Sequence, residues 1–123
     1  MKDHEKHFDM QQLREAAEVE LSYIRALGSD DDLTFAASNL GTYEALLFLL
    51  SKGGEPTPIY QIVTNVQSRF SSQSGIITRI RTMRELGLLE ERAGIKKSQV
   101  CLVPSDKFLS NIGSVLVAKN KHF

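Results

Sequence analysis

The sequence has a single cysteine, Cys101, and no tryptophan. One thiol excludes an internal disulfide and a zinc site built on cysteine. No apolar run approaches the ~18 residues that cross a bilayer; the densest patch, residues 45–50, is far shorter. The opening residues Met1-Lys2-Asp3-His4-Glu5-Lys6-His7 are charged throughout, without the apolar stretch a secretory signal needs. A cytoplasmic protein with no membrane partner is the expectation. Glycine-rich phosphate loops and nucleophile elbows are missing as well. Glu90 and Glu91 are neighbours in a strand-like run, so they point to opposite faces and make no carboxylate pair. His4 and His7 stand beside Glu5 in the charged terminus and are assigned no metal. No enzymatic activity, cofactor or metal is expected.

What remains is a chain of 123 residues, 41% apolar, which suits one compact domain with a real core. Formal net charge is zero, but its distribution is uneven. Residues 1–55 carry five Lys/Arg against eleven Asp/Glu, residues 56–103 seven against three, and residues 104–123 three against one. The acid lies in front and the base in the middle.

Apolar residues Met10, Leu13, Ala17, Leu21, Ile24 and Leu27 recur at steps of three and four, the spacing of one helix face. The periodicity predicts a helix over 9–27, with Gly28 as a left-handed cap. A short helix or turn follows over 33–40, then an almost wholly apolar helix over 42–52 that Gly53-Gly54 ends. Thr57-Pro58 reads as an N-cap followed by proline at the first helical position, opening a short helix whose buried side is Ile59, Ile62, Val63 and Val66. The hydroxyl-rich run Ser71-Ser72-Gln73-Ser74 starts another helix, which Gly87 stops. Ile76, Ile77, Ile80 and Met83 fall on one side of it; Ser74, Gly75, Thr78, Arg81, Thr82 and Glu85 fall opposite, with Arg79 on the flank.

After Gly87 the period changes to that of strands. Runs over 88–92 and 99–103 flank residues 93–98 as a hairpin, and Pro104 closes it. Cys101 sits in the second run as a small packed residue. Ser105-Asp106 caps a last helix with Phe108, Ile112, Val115 and Leu116 inward. Helices followed at once by a two-stranded hairpin give the expected fold: mainly α (α+β), a winged helix-turn-helix with flanking N- and C-terminal helices.

A helix-turn-helix lays its second helix in the major groove, where N-terminal residues reach the base edges. The helix over 72–86 has the required apolar back and polar front. Ser72, Gln73, Ser74, Thr78, Arg79, Arg81 and Thr82 are the candidate readers: the short ones let the backbone approach, and the arginines reach guanine or phosphate. Lys96 and Lys97, at the hairpin tip, are candidates for phosphate or the minor groove.

The run Thr78-Arg79-Ile80-Arg81-Thr82-Met83-Arg84-Glu85-Leu86-Gly87-Leu88-Leu89-Glu90 resembles the recognition helix and first wing strand of the multiple-antibiotic-resistance (MarR) regulator family. Val100-Cys101-Leu102-Val103 with Pro104-Ser105 is similar to its second wing strand, and the likeness covers about residues 42–113. Where that family's wing usually carries an Asp and an Arg, this one has Lys96-Lys97, and only about twenty residues follow it. The resemblance implies a transcription regulator on double-stranded DNA; a small-molecule effector is not indicated by any residue. Compact winged helices of plasmid or phage segregation and replication proteins look similar at this level, and a winged helix used only for protein contacts is a third reading.

A homodimer is expected, its two-fold axis matching a pseudo-palindromic site. The division is residues 1–41 for dimerisation, through Leu13, Ala17, Leu21, Ile24 and Leu27, with packing of that helix on its own domain as the alternative, 42–104 for the winged helix, and 105–123 for the last helix, all in one compact domain.

Overall fold

A computed structural model describes residues 9–67, 72–94 and 99–121. Lys96, Lys97 and Ser71 lie outside the described residues. Six helices and three strands follow in the order α1 (Met10–Gly28), α2 (Asp31–Ala37), α3 (Leu40–Leu50), β1 (Thr57–Pro58), α4 (Ile59–Thr64), α5 (Gln73–Glu85), β2 (Leu89–Ala93), β3 (Val100–Pro104) and α6 (Asp106–Asn120) among the described residues. The stretch α3-β1-α4-α5-β2-β3 is a winged helix-turn-helix. Two more helices precede it and one follows.

Five of the six described helix starts are set by a short polar side chain that satisfies an otherwise unpaired N–H; α4, which follows Pro58, has no such cap. Asp9 accepts from the Gln11 amide at 2.9 Å, Asp30 from Leu33 at 3.0 Å, Asn39 from Thr42 at 3.0 Å, Ser72 from Gly75 at 3.1 Å and Ser105 from Phe108 at 3.2 Å. Asn39 is why α3 begins at Leu40, two residues before the periodicity suggested.

Two local expectations need correction. Gly28 does not adopt a left-handed cap; the helix includes it, and the Ser29 amide and hydroxyl both donate to the Ala26 carbonyl, at 3.3 and 2.7 Å. Thr57-Pro58 is not the first turn of a helix. Pro58 is the residue before α4, and Thr57 and Pro58 pair antiparallel with Leu102 and Cys101 of β3. The proline ring presets an extended-to-helical entry, which a two-residue edge strand uses as well as a helix would. The sheet is therefore three-stranded, in the order β1-β3-β2, with the hairpin register Leu89 opposite Pro104 through Ala93 opposite Val100.

The core is one cluster to which all six helices and the sheet contribute. Ala45, Leu46 and Leu49 of α3 meet Ile62 and Val63 of α4, Ile76, Ile80 and Met83 of α5, Leu88, Leu89 and Leu102 beside the sheet, and Phe108 and Ile112 of α6. Val115 and Leu116 are only half-buried against it. Cys101 is buried in β3. Tyr23 and Leu27 carry α1 into the same cluster. Leu27 thus belongs to the chain's own core, and the expectation that it lies in an intermolecular seam does not hold for it. Lys119 of α6 fastens the same stretch of α1, with its ammonium 2.9 Å from Glu20 Oε1 and over the Tyr23 ring at 4.3 Å. Burial, with the Glu20 carboxylate adding to it, pushes the Tyr43 phenol above its ordinary value, so α3 presents a neutral hydroxyl here. Among the described residues no single helix is long and apolar enough to cross a membrane.

Candidate nucleic-acid interface

The packing of α5 decides which side chains it can offer. Ile76, Ile80 and Met83 anchor it, each almost wholly buried, and Ile77 is half-buried beside them. Ser72, Gln73, Ser74, Thr78, Arg81 and Glu85 are exposed on the other side, with Thr82 half-buried at its margin. The apolar and polar faces are those the periodicity assigned. Gly87, with φ +79°, stops the helix, because a left-handed residue cannot continue it.

At the N-terminus the Ser72 hydroxyl caps the Gly75 amide and lies 3.3 Å from the Ser74 hydroxyl. A Cβ on residue 75 would stand 3.1 Å from that cap oxygen, so glycine leaves the first turn bare and open to a close neighbour. The Thr78 hydroxyl donates to the Ser74 carbonyl at 3.0 Å, and Thr82 to the Thr78 carbonyl at 3.2 Å.

The four described arginines of this region are not equivalent. Arg79 donates to the Ser38 hydroxyl at 3.1 Å and lies over the Phe35 ring at 5.2 Å, so it ties α5 to α2. Arg84 pairs with Glu91 of β2 at 2.6 Å, which ties α5 to the wing. Arg92 pairs with Glu90 at 2.7 Å within the wing strand. Arg81 is exposed and forms no ion pair among the described residues. Of the candidate readers, then, Ser72, Gln73, Ser74, Thr78 and Arg81 share one open face. Thr82 borders it, and Arg79 is turned to the scaffold.

Three residues near this face carried no local signal in the sequence. Glu44 of α3 accepts the Gln67 amide at 2.8 Å, across 23 positions, and so fixes the chain leaving α4 on its way to α5. Tyr60, at the start of α4, is 65% exposed, off the side that Ile62 and Val63 bury. Phe35 receives Arg79 only because α2 folds back beside α5.

A second unpaired surface runs along α1. Met10, Leu13, Leu21 and Ile24 are 72%, 51%, 48% and 55% exposed, and Ala17 is exposed between them. On α6, Leu109 and Val117 are also open. Single exposed apolar residues are ordinary, but a row of five on one helix face is not.

No protein-family model matches the sequence, and no curated protein does either. Solved structures do match in fold. The organohalide-sensing transcriptional regulator RdhR, in its ligand-free form, aligns over 98% of this chain and 72% of its own, at 16% identity and a TM-score of 0.53. A MarR-like transcriptional regulator from Thermotoga maritima aligns over 95% of this chain and 84% of its own, at 17% identity and a TM-score of 0.51. The transcriptional repressor CouR, bound to a 23-mer DNA duplex, aligns over 89% and 77%, at 15% identity and a TM-score of 0.50. The chain has the winged-helix fold of MarR-like regulators, flanking helices included.

Proposed function

We propose that the chain is a sequence-specific, duplex-DNA-binding transcription regulator that acts as a homodimer. One observation carries the reading: on a winged-helix scaffold, α5 is held by a buried isoleucine and methionine face and turns Ser74, Thr78 and Arg81 outward beside the hairpin. A major groove admits such a helix, and its base edges are read by side chains of this length and polarity. The likeness to a repressor bound to DNA supports the same reading.

In this account α5 enters the groove, Arg81 supplies the donor pair, and Lys96 and Lys97 of the β2–β3 connection neutralise phosphate. Arg84-Glu91 and Arg92-Glu90 are spent on setting the wing against the helix. The stripe Met10, Leu13, Ala17, Leu21 and Ile24 meets a second copy. A two-fold pair would present two α5 helices about 34 Å apart, one turn of B-DNA.

Random-site selection with the purified full chain tests the reading. A two-fold-related consensus, bound by two copies, is expected. Absence of any duplex binding at low salt would leave a winged helix used for protein contacts, because a DNA-binding surface keeps measurable non-specific affinity there.

A further inference from the structure

Along the middle and end of α5 most hydrogen-bond donors are committed inside the protein. The Thr78 and Thr82 hydroxyls donate to carbonyls four residues back, at 3.0 and 3.2 Å. The Arg79 guanidinium is turned to Ser38 and Phe35, and Arg84 to Glu91. Ser72 accepts the Gly75 amide at the cap. Gln73 and, about two turns on, Arg81 are the long donors left on the open face among the described residues, with Glu85, an acceptor, one turn beyond Arg81.

A threonine whose hydroxyl is held against its own helix has its hydrogen committed to the backbone. What it offers outward is a methyl group, with oxygen lone pairs at the side. In the major groove the base edge that matches a methyl is the thymine C5-methyl. We propose, resting on the reading of α5 as the groove helix, that Thr78 is a specificity-determining residue that reads a thymine by methyl-to-methyl contact, next to the base pair read by Arg81. Thr82, half-buried one turn on, lies at the margin of that contact. Each half-site then holds one arginine-read guanine and, beside it, a thymine whose methyl matters and whose hydrogen-bonding edge does not.

The test starts from the consensus found by random-site selection. Each thymine is replaced in turn by uracil, which removes the C5-methyl and leaves base pairing intact. One position per half-site should lose about fourfold in affinity, the ratio expected for one buried methyl. Thr78→Ser keeps the hydroxyl and drops the methyl; it should lose about fourfold on the thymine duplex and nothing further on the uracil duplex. Thr78→Val keeps a methyl and should bind within about twofold of the parent. A protein that selects a site yet tolerates uracil at every thymine overturns this proposal alone. So does a Thr78→Val variant that loses affinity while Thr78→Ser keeps it, since the hydroxyl would then be the reader. A protein that selects no site overturns the groove-helix reading and this proposal together. The uracil scan needs no variant, so a folding defect in either substitution leaves the result decisive.

Discussion

Arg79 on α5 and Ser38 at the end of α2 are 41 positions apart in sequence and joined by a 3.1 Å hydrogen bond from guanidinium to hydroxyl. Together with the Phe35 ring beneath it, this contact makes Arg79 a tether rather than a reader. Arg79→Ala should therefore lower thermal stability by about 0.5–1 kcal/mol, the usual worth of an exposed cation–π contact. The slope of log affinity against log salt should stay the same. A variant with parental melting and a slope shallower by about 0.9 would make Arg79 a phosphate contact instead.

The exposed row on α1 predicts a dimer that charge can split. Truncating the helix would strip Tyr23 and Leu27 from the core, so surface substitutions are the cleaner probe. Leu21→Glu with Ile24→Glu should give a folded monomer by sedimentation, with the parental circular dichroism spectrum, because both side chains are about half exposed in the protomer. A double variant that remains dimeric would move the interface elsewhere, α6 being the next surface to examine.

The Ser72 hydroxyl caps the Gly75 amide and shares a hydrogen bond with the Ser74 hydroxyl. Ser72→Ala should cost about 1 kcal/mol, or about 4 °C in melting temperature. Ser72→Asp should keep the cap and the stability but weaken every duplex, since it would place a carboxylate where α5 approaches phosphate. If Ser72→Asp binds DNA as the parent does, the helix does not enter the groove by its N-terminal end.

Much of this was legible in the sequence because it is local. The isoleucine spacing of α5 gave its two faces, the serine run gave its start within a residue, and Gly87 gave its end. The switch to strand periodicity after Gly87 gave the hairpin, and with it the fold. The features that escaped are those made between distant segments. β1 exists only because β3 lies alongside it, and Thr57-Pro58 has the same local preferences in either role. Arg79 looks like any flank arginine until α2 is placed beneath it. Leu27 continues the α1 seam at the right spacing, yet it is buried in the core cluster while Ile24 stays open. Glu44 had no visible task at all until its carboxylate met the Gln67 amide.

Arg81 carries the central claim, that the open face of α5 reads bases. It is exposed and unpaired among the described residues, so Arg81→Ala should leave the unfolding free energy unchanged within about 0.5 kcal/mol. The decisive measurement is the affinity of parent and Arg81→Ala for the selected duplex and for a scrambled duplex of the same composition and salt. The account predicts a loss of about 1–3 kcal/mol on the selected site, a much smaller loss on the scrambled one, and relaxed preference at one or two base positions per half-site. An equal loss on both duplexes, with the base preference intact, would contradict it: Arg81 would then only anchor the protein to phosphate, and sequence would be read by some other surface.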